Sequence, residues 1–116
     1  METAIVWRWR RAVPGRERES WEYVKATDGL AAAWRAAGRC GPHEWVISWG
    51  DEEDHMLVLR GDPVKLVELM AARDFIAHMA RGALVADGFR YTLTAVAPTA
   101  PEAFPGWEEA LAQLAA

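Results

Sequence analysis

The sequence predicts a single α+β domain with the element order β-α-β-β-α-β, a four-stranded antiparallel sheet and both helices on one face. Four short segments alternate apolar and polar residues with period two, which is typical of strands. Two longer segments carry apolar residues at helical spacing. The 116 residues have room for one domain, and the 52% hydrophobic fraction can form its core without disulfides.

The first strand and the first helix are predicted from the N-terminal third of the chain. Residues 4–11 alternate and end before a Pro-Gly pair, which is a turn signal. One face of this strand carries Ile5, Trp7 and Trp9. Residues 16–37 are rich in helix formers, and the glycine in Asp28-Gly29 marks a place for a kink. The apolar face of the helix is predicted to contain Trp21, Val24, Ala31 and Trp34.

A hairpin follows the first helix. Residues 43–50 and 55–61 are short apolar runs, and the acidic run 51–54 lies between them. The acidic run lacks the spaced oxygen ligands and the turn glycine of a calcium loop. We therefore interpret it as a solvated turn.

The second half begins with a strong helix start at Asp62-Pro63, a capping side chain followed by proline at the first helical position. A restart is predicted at Arg73-Asp74, and the helix continues to Ala86. The buried faces are predicted to contain Leu66, Val67, Met70, Ala71, Phe75, Ile76, Met79 and Ala83. Residues 89–98 alternate again and supply the last strand.

The C-terminal segment differs in composition from the rest. After Pro98 the chain is proline-rich, and residues 107–115 predict one short amphipathic helix with Trp107, Leu111 and Leu114. The sequence therefore predicts a domain over residues 1–97 and an added linker and helix over residues 98–116.

Composition excludes several classes of protein. The 13 basic and 17 acidic residues give a net charge of -4, which argues against a nucleic-acid partner. Cys40 is the only cysteine, which excludes an intrachain disulfide and a cysteine-based zinc site. The N-terminus lacks the pattern of a signal peptide, and no apolar run is long enough to span a membrane. We expect a cytoplasmic protein without a membrane partner.

Strand alternation divides the predicted sheet into two faces. The helix-covered face is predicted to contain Ile5, Trp7, Trp9, Trp45, Ile47, Trp49, Tyr91 and Leu93. The open face is predicted to contain Val6, Arg8, Glu44, Val46, Ser48, Thr92 and Thr94. The open face is only half polar, so we expect a second copy of the chain to cover it in a homodimer.

The element order, the strand running into PGRERESW and the stretch LVELMAARDFIAHMARGALVADGFR together resemble the dimeric α/β-barrel superfamily. The resemblance covers residues 4–97. It implies two ferredoxin-like subunits that pack their open sheet faces together and enclose a cavity. Members that the chain resembles include cofactor-independent monooxygenases of aromatic polyketides, polyketide cyclases, muconolactone-type isomerases and haem-degrading oxygenases. Haem-degrading members typically use an Asn, and this sequence contains none, which argues against that activity.

The resemblance implies a small-molecule enzyme that acts on an aromatic or polyketide-like substrate in a cavity. The reaction would be an oxidation without a cofactor or a cyclisation by proton transfer. The alternative is a non-catalytic ligand-binding or stress-response module with the same fold.

Three histidines are candidate acids or bases, because His exchanges a proton near neutral pH. His43 and His55 begin the second and third predicted strands, and His78 lies in the second helix. The alternative to a catalytic role is a structural one: His43 and His55 would be exposed residues of the hairpin, and His78 would be a boundary residue of the helix. We rank His55 first, because a strand start beside a turn can reach the rim of a cavity. No histidine pair has metal-ligand spacing.

The open face supplies the other candidates. Glu44 is a candidate for taking a proton, and Arg8 is a candidate for binding an acidic or enolate oxygen. The hydroxyls that would orient a substrate are those of Ser48, Thr92 and Thr94. Arg8 and Glu44 alternatively form a buried ion pair at the dimer interface.

Seven tryptophans are far more than is usual for a chain of this length. We interpret Trp7, Trp9, Trp45 and Trp49 as core residues by their position in the strands. The alternative is that tryptophans such as Trp49 line a cavity for a flat aromatic ligand. A shift of one residue in the register of these strands would move their tryptophans to the other face of the sheet, and so from the core to the cavity.

Overall fold

A computed structural model of the chain describes residues 2–49, 54–96 and 100–115, and it confirms the predicted α+β architecture. The strands among these residues are β1 (Glu2–Trp9), β2 (Arg11–Ala12), β3 (His43–Val46), β4 (His55–Gly61), β5 (Ala86–Asp87) and β6 (Arg90–Val96). The helices are α1 (Glu17–Ala36), α2 (Pro63–Met70), α3 (Arg73–Val85) and α4 (Ala100–Ala115). None of the helices in these ranges is long and apolar enough to cross a bilayer.

The main sheet has the strand order β3-β4-β1-β6, and every neighbouring pair is antiparallel. This is the ferredoxin-like arrangement, in which the first and third long strands are central and the helical crossovers lie on one face. Trp7 of β1 is opposite Leu57 of β4 and Tyr91 of β6. The short strands β2 and β5 pair with each other and connect the end of β1 to the end of α3.

The core lies between the sheet and α1, α2 and α3, as the alternation of the strands predicts. Trp7 is 2% exposed, and its ring centroid is 5.9 Å from that of Phe75 and 6.5 Å from that of Trp34. Its indole N–H donates to the sulfur of Met79. The other buried residues of this cluster are Ile5, Ala31, Leu57, Leu59, Leu66 and Leu69.

Helix α1 is continuous through Gly29, so the kink that the glycine made possible is not formed. Its buried face is also more polar than predicted. Trp21 is 60% exposed, whereas the buried residues of the helix are Ser20, Tyr23, Thr27, Ala31 and Trp34. The difference arises because this face packs against α3, where partners satisfy its hydroxyl groups.

The predicted start of the second helical segment is confirmed. The carboxylate of Asp62 accepts a hydrogen bond from the backbone N–H of Lys65, and Pro63 is the first helical residue. The restart at Arg73 is confirmed as well. Four expected core residues are exposed, namely Val67, Ala71, Ile76 and Ala83. The buried faces of α2 and α3 are narrower than predicted, and they consist of Leu66, Leu69, Phe75, His78, Met79, Gly82 and Val85.

Two segment boundaries differ from the prediction by several residues. Strand β3 ends at Val46 rather than at residue 50, because its pairing with β4 stops where Val46 meets Met56. Helix α4 begins at Ala100, inside the predicted linker, and it includes Pro105. The surrounding alanines and glutamates favour a helix despite the backbone hydrogen bond that proline removes.

Some predictions fall on residues outside the described part of the chain. These are most of the acidic turn, at positions 50–53, the start of the C-terminal segment, at positions 97–99, and the side chain of Trp107. The division between a domain and an added C-terminal segment stays a prediction.

Candidate binding cleft and active site

An open cleft runs between α1 and the β1, β3 and β4 side of the sheet. It consists of two connected depressions of about 290 and 580 Å³ that share Trp21, Val24 and Ile47. The smaller one extends to Trp9 and His55, and the larger one extends to Trp45 and Asp28. We call it the aromatic cleft, and we define it by Trp9, Trp21, Val24, Trp45, Ile47 and His55.

Helical and strand periodicity explain why these side chains meet. Trp21, Val24 and Asp28 are three and four residues apart, which places them on one face of α1. Trp9 and Trp45 occupy odd-numbered strand positions, and these face the helices. Their rings meet edge to face, with centroids 5.9 Å apart. The cleft is therefore walled by rigid aromatic surfaces on both of its sides.

Asp28 connects the helix to the sheet at one end of the cleft. Its Oδ1 is 2.7 Å from Nε2 of His43, and it accepts a hydrogen bond of 2.9 Å from the indole N–H of Trp45. The hydrogen bonds from His43 and then from Trp45 lower the pKa of Asp28. The carboxylate is thus ionised at neutral pH, and it fixes the orientation of the Trp45 ring.

His55 lies at the other end of the cleft, where its ring centroid is 5.6 Å from that of Trp9. Its Nδ1 accepts a hydrogen bond of 3.3 Å from the backbone N–H of Ser48. An accepting Nδ1 carries no proton, so the neutral ring carries its hydrogen on Nε2. In this state His55 can donate a hydrogen bond to an oxygen atom of a ligand.

His78 is buried between α1 and α3, in contrast to the helix-boundary position that we considered. Its ring stacks on Tyr23 at 4.3 Å, and its Nε2 is 2.7 Å from the hydroxyl of Thr27. Burial, followed by the nearby Arg81, lowers its pKa to about 4. The Thr27 hydroxyl donates to the Tyr23 carbonyl, and the Tyr23 hydroxyl donates to the His78 carbonyl. This network holds two helices together, and it is not part of the cleft.

Four of the predicted site residues lie on the open face, as strand alternation requires. These are Arg8, Glu44, Thr92 and Thr94. They do not converge within one protomer, because Glu44 is on one edge strand and the threonines are on the other, about 14 Å away across three strand spacings. Within the protomer Glu44 pairs with Arg60 at 2.6 Å and not with Arg8; an ion pair between Arg8 and Glu44 across a dimer interface stays a prediction.

Two other predictions about site residues are corrected. Ser48 follows the end of β3. Its hydroxyl donates to the backbone carbonyl of Asp54 at 2.9 Å, and its backbone N–H donates to Nδ1 of His55. Trp49 is 95% exposed and is neither a core residue nor part of the cleft.

The expected grouping of a histidine with the open-face residues is also wrong within one protomer. His43 and His55 occupy odd-numbered strand positions, so they face the helices like Trp45 and Leu57. The structure instead brings His55 together with the tryptophans of the cleft. The cleft also contains residues to which we assigned no site role, namely Trp21, Asp28 and Ile47. For Trp21 and Asp28, the sequence offered one signal: with Val24, they are spaced to lie on one face of a helix.

A small inner cavity of about 20 Å³ lies behind the cleft, between α1 and the sheet. It has room for about one water molecule. Its far side is formed by Trp7, Leu57 and Phe89. The wall between the two spaces is formed by the residues that line both the cavity and the cleft, namely Trp9, Ser20, Val24 and Trp45. Within residues 2–49, 54–96 and 100–115, no group of three or more metal-ligating side chains is present.

No protein-family model and no curated protein sequence matches this chain. Solved structures are similar to it at low sequence identity. The structure of SnoaB from Streptomyces nogalater, a cofactor-independent oxygenase, matches with a TM-score of 0.60 and 16% identity over 86% of this chain and 97% of SnoaB. A point mutant of SnoaB gives a TM-score of 0.64 at 14% identity with the same coverage.

The structure of Rv0793 from Mycobacterium tuberculosis matches with a TM-score of 0.61 and 17% identity. The match covers 86% of this chain and 99% of Rv0793. The similarities therefore extend over nearly the whole of each solved structure. Together with the strand order and the placement of the helices, they show that the chain has a ferredoxin-like α+β fold.

Proposed function

We propose that this chain is an enzyme that binds a flat aromatic or polyketide-like molecule in the aromatic cleft and oxidises it with dioxygen, without a cofactor. The observation that carries the proposal is a cleft walled by three tryptophans with a histidine at its end, oriented as a hydrogen-bond donor. The fold similarity to SnoaB, a cofactor-independent oxygenase, supports the same reaction class.

The walls of the cleft favour a planar apolar ligand. Trp9, Trp21 and Trp45 present large rigid rings, and Val24 and Ile47 add aliphatic surface between them. Aromatic pairs gain about 0.5–1.5 kcal/mol beyond the burial of their surface. A fused-ring molecule can make such contacts with more than one wall at once.

The polar groups of the cleft indicate which substrates it can activate. Among the described residues, two carboxylates line it, and the pKa of each is lowered: that of Glu17 by backbone N–H groups and that of Asp28 by His43 and Trp45. Such carboxylates are weak bases at neutral pH. The substrate must therefore ionise readily by itself, as a phenol, an enol or an anthrone does.

His55 then stabilises the anion rather than removing the proton. Its Nε2–H donates to the oxygen on which negative charge develops, which favours the ionised substrate. The substrate carbanion gives one electron to dioxygen, and the two radicals combine to form a C–O bond. The resulting hydroperoxide loses water to leave a carbonyl group, so one oxygen atom enters the product and the other leaves as water.

Two alternatives share the same cleft. If the stabilised enolate attacks a carbonyl of its own molecule, the reaction is a cyclisation by proton transfer. If the cleft binds without activating, the chain is a ligand-binding or stress-response module. Consumption of dioxygen distinguishes the oxygenase from both.

The test is oxygen uptake with 1,8-dihydroxyanthrone as the probe substrate. We expect the wild-type protein to accelerate uptake, and we expect His55→Phe to reduce kcat/KM about 100-fold because the donor is lost. His55→Gln should restore part of the rate, because its amide N–H still donates. Trp49→Ala, outside the cleft, is the control and should keep the wild-type rate. Tight binding without oxygen uptake would overturn the oxygenase proposal in favour of a binding module.

We also propose that the chain forms a homodimer through its open sheet face. Val46, Met56 and Val58 leave apolar surface on this face, with Val46 38% exposed in the protomer, whereas Val6 is already buried. A two-fold interface brings the same patch of each subunit together, so one charged substitution introduces two charges.

Light scattering at micromolar concentration should show a dimer for the wild-type protein and a monomer for Val58→Arg. The matched control is Val64→Arg on α2, where the side chain is 64% exposed on the other side of the molecule. It should remain dimeric. A wild-type monomer, or loss of the dimer in both variants, would contradict this interface.

A further inference from the structure

We propose that the molecule bound in the aromatic cleft carries a positively charged amino group beside its planar rings, and that Asp28 binds this group together with the rings of Trp21 and Trp45. The inference rests on the proposed function, because it names the class of substrate that the same cleft takes. Such a substrate would place its phenolic or enolic oxygen at His55 and its ammonium at the opposite end.

Asp28 has a carboxylate oxygen that is available to a ligand. It lines the larger depression, and its side chain is 60% exposed. Nε2 of His43 and the indole N–H of Trp45 both contact Oδ1, and within the described part of the chain no donor contacts Oδ2. The pKa of Asp28 is lowered, so the carboxylate is ionised at neutral pH. Its Oδ2 is therefore a strong acceptor for a charged donor such as an ammonium group.

The tryptophans of the larger depression supply the second part of the site. Trp21 and Trp45 line it together with Asp28. Among aromatic side chains, indole rings attract a cation to their faces most strongly, and groups of aromatic rings recognise ammonium ligands in proteins. Trp21 already attracts a cation of the chain itself, since the ammonium of Lys25 lies 5.8 Å from the centroid of its ring. A carboxylate and two indoles thus meet at one end of the cleft.

The charges that line the cleft favour a cation over an anion. Lys25 is the one lysine or arginine among the described residues that line the two depressions. Its ammonium is 3.0 Å from a carboxylate oxygen of Glu22 on the same helix, so its charge is balanced locally. The carboxylates of Glu17 and Asp28 remain, and they leave the cleft negatively charged. The cleft therefore attracts a positively charged ligand and repels a negatively charged one.

The proposed reaction gives a reason for a cation on the substrate. The substrate oxygen becomes negative beside His55, in the depression that Glu17 also lines. The Glu17 carboxylate opposes this charge, because like charges repel each other. A substrate with its own ammonium at the Asp28 end is neutral overall after it ionises, which offsets the repulsion. We therefore expect the reactive form of the bound substrate to be a zwitterion.

Calorimetric titration with three naphthalene probes tests the charge preference, because all three have the same ring system. The probes are 2-(aminomethyl)naphthalene, which is a cation at neutral pH, 2-naphthalenemethanol, which is neutral, and 2-naphthoate, which is an anion. We expect the wild-type protein to bind the cation about tenfold more tightly than the alcohol, and the anion most weakly. In Asp28→Asn the preference for the cation should fall to about twofold, because asparagine is uncharged but still offers an oxygen to the indole N–H of Trp45.

Two further variants control for general effects. Glu68→Gln removes an exposed carboxylate from α2, outside the cleft, and should keep the wild-type preference for the cation. Trp21→Leu keeps an apolar side chain but loses the ring face, so its preference for the cation should also fall. Equal binding of the cation and the alcohol by the wild-type protein, or an undiminished preference in Asp28→Asn, overturns the inference.

Failure of this inference can be distinguished from failure of the proposed function. If the three probes bind equally and 1,8-dihydroxyanthrone is still oxidised, the charge preference is wrong and the proposed function stands. If the cation is preferred through Asp28 but no phenolic substrate, with or without an amino group, supports oxygen uptake, the cation site stands and the oxygenase is overturned.

Discussion

Replacing Trp7 by alanine should lower the free energy of unfolding by about 3–5 kcal/mol, the largest effect that we expect from one substitution in this protein. Trp7 is at the centre of the sheet, with β4 on one side and β6 on the other. Its ring contacts those of Trp34 and Phe75, and these belong to two different helices. The side chain therefore connects every layer of the core, and the neighbours cannot collapse to fill the space that it leaves.

Urea unfolding followed by circular dichroism measures this effect. Trp49→Ala is the matched control, because it makes the same chemical change at a site that is 95% exposed, and its effect should be within about 0.5 kcal/mol of zero. Trp7→Phe should be intermediate, because it keeps a ring but loses the hydrogen bond to the sulfur of Met79. If Trp7→Ala and Trp49→Ala have similar free energies of unfolding, the core is not organised around Trp7.

These two tryptophans also show how far strand alternation predicts the fold. Alternation placed Trp7 in the core correctly, because β1 is paired along its length on both sides. The same rule failed for Trp49, although the alternation continues to that residue in the sequence. Strand β3 has a partner only as far as Val46, because β4 starts at His55 and its pairing with β3 begins at Met56. The strand ends where its hydrogen-bonded pairing with β4 ends, and a single sequence does not show where that happens.

The candidate site shows the same limit. The parity of the strands fixes which residues face the helices, and applied to His43 and His55 it indicates the helix side. The contact of His43 with Asp28 joins residues 15 positions apart, and it depends on how α1 rests on the sheet. The position of α1 on the sheet depends on packing over the whole core. The residues that form the cleft could therefore not be predicted from the sequence alone.

Among the described residues, Asp74 and His78 have strongly shifted pKa values, and both connect elements of the fold. Asp74 at the start of α3 has a strongly lowered pKa, because Arg39 binds its carboxylate through both guanidinium nitrogens and Trp34 donates a further hydrogen bond. His78 has a lowered pKa because it is buried between α1 and α3. The carboxylates of Glu17 and Asp28 in the cleft have lowered pKa values, which is why the proposed chemistry uses an acidic substrate and a hydrogen-bond donor.

Stability should fall as the pH decreases from 7.5 to 4.5, and His78 should account for about 2–3 kcal/mol of the loss. Its pKa is about 4 in the folded protein, against 6.5 as the ordinary value. Between these two values the unfolded chain binds a proton that the folded chain does not bind. The stabilisation that neutral His78 gives is complete above pH 6.5, and it is lost as the pH falls towards 4.

The carboxylates do not obscure this range. Asp28 and Asp74 have lowered pKa values, so their contribution is complete above the ordinary value of 3.8 and is lost only at lower pH. Urea unfolding at several pH values between 7.5 and 4.5 therefore isolates the histidines. In His78→Gln the dependence on pH should decrease by about 2–3 kcal/mol over this range, because glutamine does not titrate and can still bond to Thr27.

The matched controls are His43→Gln and His55→Gln, which should retain the steep pH dependence of the wild-type protein, because both histidines lie outside the helix–helix packing. If His78→Gln is as pH-dependent as wild type, then His78 is charged in the folded protein and its packing between Tyr23 and Thr27 is wrong. A reduced slope in His78→Gln alone shows that the acid sensitivity of the fold comes from the seam between α1 and α3. The cleft, on the other side of α1, would then keep its geometry until the fold itself is lost.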